Sequence, residues 1–261
     1  ILYTSGTTGH PKGVMLTHRN LCTNFEAALK HMNLDRSEVA LCILPMFHSF
    51  AWTALVLVSL RLTLTCVIFS AIAPAKPWLK AMGRRRVSLF AAVPQVYAAL
   101  AREAKDWKTR LFLRFWAFRR VKIAVSGAAP LAPVVAESFR DAIGISIIEG
   151  WGLTETSPVA TINPPGAIRF GTVGTSIGGV SLRIVDDAEK ELPLGVEGEA
   201  CVKGDNVMKG YWNNPDATRA AFTADGWFKT GDIATLDADG YLSIRDRKKD
   251  MIIVKGLKVF S

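Results

Sequence analysis

Histidine and cysteine are scarce, and the few present do not cluster. Cys22, Cys42, Cys66 and Cys201 lie far apart and form no C-x-x-C pair. His10, His18, His31 and His48 neither match H-E-x-x-H nor stand near a cysteine at zinc-finger spacing. The common zinc patterns are therefore excluded, and reduced thiols in a cytoplasmic setting fit best. There is no internal repeat and no low-complexity linker. A charge-free apolar run of membrane-spanning length is also lacking. Ser49 to Ala75 comes nearest, but Arg61 sits near its middle and Thr63, Thr65, Val67 and Ile68 make its second half β-branched. Both features argue against a membrane span.

What is there suits a folded core. Hydrophobic residues make up 49% of 261 positions and the mean hydropathy is +0.21. That is enough for one or two globular domains and too apolar for disorder. The net charge of +9 is unevenly placed: residues 76–122 hold thirteen Lys and Arg against Glu103 and Asp106. Trp107, Phe112, Phe115, Trp116 and Phe118 interleave with those cations. Two readings stand. One is a solvated helix face whose aromatics turn into the core. The other is peripheral contact with anionic lipid at the inner membrane face. Nucleic acid is not expected, because no binding motif accompanies the charge.

The first thirteen residues organise the rest. Ile1-Leu2-Tyr3 reads as a strand end, followed by a glycine- and hydroxyl-rich loop: Thr4, Ser5, Gly6, Thr7, Thr8, Gly9, His10, Pro11, Lys12 and Gly13. Glycines let backbone approach a ligand, hydroxyls and N–H groups donate, and Lys12 adds a charge; the combination suits a polyphosphate. It is not a Walker loop, since Lys12 precedes Gly13 instead of following a glycine. An ordinary surface loop is the plain alternative.

Downstream, the periodicity predicts a helix from Asn20, read as its cap, to Met32, then a strand over 39–44. Strands are also expected at 87–93, 121–125 and 145–149, and helices at 78–82, 95–104 and 133–142. This alternation argues for an α/β fold with a largely parallel sheet and flanking helices. From about Ala167 helical periodicity fades and short strands are expected at 181–185, 198–203, 233–236 and 241–245, a β-rich subdomain. Asp237-Ala238-Asp239-Gly240 reads as a hairpin turn. Tyr3 to Gly13, Ser126 to Pro130 and Gly150 to Glu155 each follow a predicted strand, where ligands of such sheets bind.

Taken in order, Tyr3–Gly13, Gly150-Trp151-Gly152-Leu153-Thr154-Glu155, and Gly210-Tyr211-Trp212 through Thr230-Gly231-Asp232 to Asp246-Arg247-Lys248-Lys249-Asp250 resemble the adenylate-forming enzymes. These are acyl-CoA synthetases, luciferases and peptide-synthetase adenylation domains, and the nearest version is the long-chain fatty acid–CoA ligase. The resemblance covers nearly the whole chain and is weakest at residues 70–120. It implies ATP-dependent activation of a fatty acid to acyl-AMP, with pyrophosphate released, then transfer to coenzyme A. ATP, Mg²⁺ and coenzyme A are the implied cofactors. It also implies a buried helix followed by a core strand for 49–75.

By the same resemblance Ser5 to Gly13 hold the β- and γ-phosphates, with Lys12 as point charge. Thr154 donates to the α-phosphate and Glu155 ligates Mg²⁺. Trp151, with Gly152, packs on the adenine where the family often has tyrosine. Asp232 accepts from the ribose hydroxyls, and Arg247 also reaches the ribose. Ser126, Gly127, Ala128 and Ala129 line adenine and acyl pockets; His48 and Trp52 border the acyl tunnel. Lys249 is the hinge of a mobile lid. Each has a plainer reading: a helix-start pair for Thr154-Glu155, a turn cap for Asp232, a core residue for His48, a solvated pair for Lys248-Lys249. Family members extend further at both ends. The chain is thus expected to be a truncated large domain: 1–166 as the α/β part of the AMP-binding domain, 167–246 as the β-rich subdomain, 247–261 as hinge and lid stub. The family's adenylation lysine would lie past Ser261, so poor activity alone is expected. Lys258 and Ser261 depart from the usual amide and proline, leaving the thioester-forming step open. A fatty-acyl-AMP ligase, a carrier-loading adenylation module and a non-catalytic nucleotide-binding remnant are the rivals.

Overall fold

The computed structural model describes residues 1–4, 11–248, 252–254 and 257–259. The chain forms two compact units, neither continuous in sequence. One comprises Leu29–Gly150 and Asn163–Gly171; the other comprises Ile1–Ala28, Trp151–Ile162 and Thr172–Ser261.

The first unit is built on parallel strands, in the spatial order Thr65–Ile68, Val39–Cys42, Leu89–Ala92, Ile123–Ser126 and Ile147–Gly152, the last of which belongs to this unit only up to Gly150. Leu89–Ala92 and Ile123–Ser126 are buried at every position, so they read as unbroken apolar runs, as strands covered on both faces do. Helices Lys76–Arg85, Pro94–Glu103 and Pro133–Ile143 carry proline in their first turn, where its missing N–H costs nothing. The core holds Trp78, Phe90, Tyr97, Phe118 and Phe139, with ring centroids 5.1–5.9 Å apart. The Tyr97 hydroxyl, buried with them, donates to Val125 O across 2.9 Å.

The α/β class and its parallel sheet are as the sequence suggests, with three local differences. Thr65–Ile68 lies at the sheet edge, not in the core, and Ile68 is 54% exposed. The preceding helix is split into Ser49–Ala51, a π-helical Trp52–Leu57 and Val58–Leu62, and ends at Thr63 in the left-handed region. Among the described residues no helix is long and apolar enough to cross a membrane. In the basic stretch, helix Trp107–Phe112 continues as a π-helical turn, Leu113–Ala117. Leu113, Ala117 and Phe118 are buried, but Trp107 and Phe115 stay outside, so the expected inward turn of the aromatics fails for both.

The second unit is rich in antiparallel strands. Val180–Val185, Gly198–Gly204, Phe228–Leu236 and Leu242–Arg247 form a four-stranded sheet in that order. The turn between the last two is the predicted hairpin: Asp237 Oδ1 accepts from Asp239 N and Tyr241 N at 2.9 and 2.8 Å, and Gly240 takes φ +81°. Leu2–Thr4 pairs antiparallel with Lys12–Met15, which pairs in turn with Gly210–Tyr211. Thr4 is thus in register with Lys12. Helix His18–Met32 is capped by Thr17, not Asn20: Asn20 N donates to Thr17 Oγ1 at 3.1 Å while Thr17 N donates to Asn20 Oδ1 at 2.8 Å.

Candidate active site

Lys12 and Glu155 meet through Tyr211. The Lys12 ammonium lies 5.0 Å from the Tyr211 ring centroid, within cation–π range. The Tyr211 hydroxyl donates to Glu155 Oε1 at 2.8 Å. Burial, and then the charge of Glu155, push the Tyr211 phenol well above its ordinary range, so it remains a donor. Glu155 sits on the short 3₁₀ turn Thr154–Thr156, with Thr154 beside it. Thr156 Oγ1 fixes the turn, accepting from Leu153 N at 2.9 Å and donating to Pro158 O at 2.6 Å. Just before it, a Cβ at Gly152 would lie 1.8 Å from Pro158 O, so only glycine lets the two segments pass.

A second cluster centres on Asp232, which is 3% exposed. The Trp151 indole donates to Oδ2 at 2.8 Å and Arg247 Nε lies 2.8 Å from Oδ1. Burial pushes the carboxyl above its usual range; Arg247 and Trp151 pull it back, and the charges of Glu199 and Glu155 add to the rise. Asp232 N donates to Thr230 Oγ1 at 3.1 Å, and Gly231 N donates to Glu199 Oε1 at 3.0 Å with φ +72°. Glu199 in turn holds Lys248 Nζ at 3.0 Å. The continuous run Trp151–Glu155 joins the two clusters.

Buried amides hold this turn in place, and sequence reasoning missed them. Asn24 Nδ2 donates to Val159 O at 2.6 Å and Asn206 Nδ2 to Thr156 O at 3.0 Å. Ser157 Oγ donates to Asn206 O at 2.7 Å, and Asn20 Nδ2 to Asp205 O and Val207 O at 2.7 and 2.9 Å. Tyr211 was visible only as part of a run, with no chemical role attached.

Of the other candidates, Thr4 faces Lys12 in register. Ser5, Gly6, Thr7, Thr8, Gly9 and Lys249 lie outside the described residues. Ser126, Gly127, Ala128, Ala129, His48 and Trp52 belong to the other unit. Ser126 is buried, and its hydroxyl has no partner among the described residues. A Cβ on Gly127 would sit 3.4 Å from the Phe50 ring, and Ala128 takes φ +69°. His48 is exposed and caps the helix behind it, its Nδ1 accepting from Phe50 N at 3.2 Å. The strand order reverses beside Val39–Cys42, whose following loop ends at His48, with Trp52 opening the π-helical stretch one short turn later; open parallel sheets bind ligands at such a reversal. Glu149, in register with Ser126, was not anticipated. Its Oε1 accepts from Leu131 N at 3.1 Å, and burial raises its carboxyl to about 7.

The AMP-binding enzyme family model matches residues 1–212. The chain belongs to the AMP-binding enzyme family. It is 36% identical to a long-chain-fatty-acid–CoA ligase of Yersinia pestis, over 99% of this chain and 45% of that protein. It is equally 36% identical to a feruloyl-CoA synthase of an Amycolatopsis species, over 100% of this chain and 51% of that protein. In structure it is similar to ATP-bound MatB from Rhodopseudomonas palustris: TM-score 0.91, 34% identity, 100% of this chain and 50% of that one. It also resembles the o-succinylbenzoate coenzyme A synthetase MenE of Bacillus subtilis, in complex with ATP and magnesium ion, at TM-score 0.88 and 29% identity, over 99% and 52%. The chain spans about half the length of the curated relatives it matches.

In this member of the AMP-binding enzyme family the donor set around Glu155 fits a hard cation. Among the described residues no group of three or more His, Cys, Asp or Glu could hold a metal by itself. Glu155 offers one buried carboxylate, oriented by Tyr211. Mg²⁺ asks no more of a protein when substrate phosphates and water complete its shell.

Proposed function

We propose that the chain carries the nucleotide- and acid-binding part of an AMP-forming acid–CoA ligase. The observation that carries the reading is the pair of clusters in one unit: Lys12–Tyr211–Glu155 and Trp151–Asp232–Arg247. In the first half-reaction a carboxylate oxygen of the acid bonds to the α-phosphorus of ATP and the bond to the β-phosphate oxygen breaks, releasing pyrophosphate. In the second, the coenzyme A sulfur bonds to the acyl carbon and AMP leaves. The acid and the phosphates repel, so the task is charge stabilisation and alignment. Lys12 supplies a point charge to the β- and γ-phosphates, and Ser5, Gly6, Thr7, Thr8 and Gly9, which precede it in the sequence, are the further phosphate donors of this reading. Thr154 donates to the α-phosphate. Glu155 would hold Mg²⁺, which neutralises phosphate charge when bound. Trp151 offers a ring to the adenine, with Gly152 leaving room, and Asp232 and Arg247 address the ribose. Residues 247–261, with Lys249 as hinge, follow the 1–166 and 167–246 segments as the start of a lid.

For the acid we propose an apolar one, a fatty acid first. Met46, Phe47 and Trp52 flank His48 and are 39%, 83% and 37% exposed, an apolar rim where the strand order reverses. Small Gly127, Ala128 and Ala129 add little bulk on this side, a Cβ on Gly127 coming within 3.4 Å of the Phe50 ring. An aryl acid is the second reading, favoured by the equal identity to the feruloyl-CoA synthase. Competition between hexadecanoyl and feruloyl adenylate mimics tests this. Preference for the fatty mimic, lost on Trp52→Ala, supports the first reading; preference for the feruloyl mimic overturns it.

A further inference from the structure

We propose that the helical segment Trp107–Ala117 and the basic residues around it form a docking surface for an anionic lipid bilayer. Trp107, Leu111 and Phe115 are 65%, 47% and 64% exposed. Their four-residue spacing keeps them on one side of the segment, while Leu113 and Ala117 bury the other. Trp116, 39% exposed, lies against helix Lys76–Arg85, where a Cβ on Gly83 would come within 3.0 Å of its indole. The rings are thus held outward by a packed opposite face.

Cations flank the stripe. Lys108 Nζ is 5.6 Å from the Trp107 ring centroid and Arg114 Cζ is 5.7 Å from that of Phe115. Arg110 is exposed on the same segment and Arg119 and Arg120 just after it, and exposed Arg84, Arg85 and Arg86 lie at the end of the helix that Trp116 touches. The nearby acids are largely engaged. Asp106 caps the segment through Thr109 N at 2.8 Å, and Asp141 pairs with Arg140 at 3.2 Å; Glu103 stays exposed.

Rings and an aliphatic side chain beside Lys and Arg are the composition of segments that lie in a bilayer interface, apolar groups among the acyl chains and cations at the headgroups. Charge complementarity selects anionic lipid as the partner. A nucleic acid would use the cations but gains nothing from burying Leu111. This inference is independent of the acid-activation reading.

Co-sedimentation of the full chain with phosphatidylcholine vesicles, with and without phosphatidylglycerol, tests it. Binding is expected to the anionic vesicles only, and to weaken at high salt. Two exposed-site double variants, Trp107→Ser with Phe115→Ser and Lys108→Glu with Arg114→Glu, should each bind at least about tenfold more weakly, with unchanged circular dichroism. No binding by the native chain overturns the proposal. So does equal binding by the aromatic variant, or tighter binding to a DNA duplex than to the anionic vesicles.

Discussion

The Tyr211 hydroxyl donates to Glu155 Oε1 at 2.8 Å while the Tyr211 ring carries the Lys12 ammonium 5.0 Å from its centroid. One side chain thereby couples a carboxylate to a cation from a different strand. It fixes which carboxylate oxygen points away from the phenol. Tyr211→Phe keeps the ring and removes the donor. The expected outcome is unchanged folding within about 1 kcal/mol and a 10- to 100-fold weaker Mg²⁺ dependence of ATP binding, on the order seen when a ligand's hydrogen-bond partner is removed. Mg²⁺ titrations at fixed ATP check this; an unchanged midpoint would remove Tyr211 from the site.

Trp151 donates an indole N–H where tyrosine would donate from farther along its ring, and that donor helps keep Asp232 ionised. Trp151→Phe keeps a stacking face and loses the donor. The Asp232 carboxyl, already raised by burial, should rise further. If nucleotide binding requires ionised Asp232, its acid limb should move to higher pH by roughly one pH unit, a charge-assisted hydrogen bond being worth about 1.5–3 kcal/mol at most. The pH profile of AMP binding reads this directly. A limb that stays put would mean that Arg247 alone sets the ionisation.

Glu149 predicts a pH-dependent stability. Its folded-state carboxyl is raised by burial to about 7 from the ordinary 4.5. A raised carboxyl contributes stability that is full below pH 4.5 and is lost as pH rises through about 7. Above that, the ionised form costs up to about 3 kcal/mol. Glu149→Gln retains an oxygen for Leu131 N and carries no charge. It should match the native chain at pH 4.5 and exceed its melting temperature at pH 8. Parallel melting curves at the two pH values decide the matter; a variant less stable at both would refute the assignment.

Gly152→Ala should be costly for a reason unrelated to ligand. Its Cβ would sit 1.8 Å from Pro158 O and 2.9 Å from Ala160 N, both backbone atoms. Overpacking of this kind costs about 1–3 kcal/mol, and relief would move the Thr154–Glu155 turn. Chemical denaturation checks the loss, and a variant as stable as the native chain would show that the segments can separate freely.

Much of this is legible in the sequence, and the reason differs by element. Helices Pro94–Glu103 and Pro133–Ile143 begin at proline and carry a clear apolar stripe, so their bounds fall within a residue or two of the reading. Trp151, Thr154, Glu155 and Asp232 are readable because they stand in short contiguous runs with glycine. Tyr211, Asn24, Asn206 and Glu149 are not, because their roles depend on partners up to 135 residues away. Lys12–Met15 is too short and glycine-bearing to show alternation. Trp107 and Phe115 misled for another reason: with Leu111 they form an apolar stripe at four-residue spacing, and that spacing is the same whether it faces the core or the solvent. Only the buried Leu113 and Ala117 reveal which side is inside.

The most direct test of the nucleotide site is calorimetric titration of a non-hydrolysable acyl-adenylate mimic into the native chain and into Asp232→Asn, with folding verified for both. Asparagine keeps the shape and loses the charge that faces Arg247. The account predicts saturable binding to the native chain and at least about 100-fold weaker binding to the variant, a loss of about 2.7 kcal/mol or more. Equal affinity for two folded proteins would contradict it, and would move the ribose contact away from the Trp151–Asp232–Arg247 cluster.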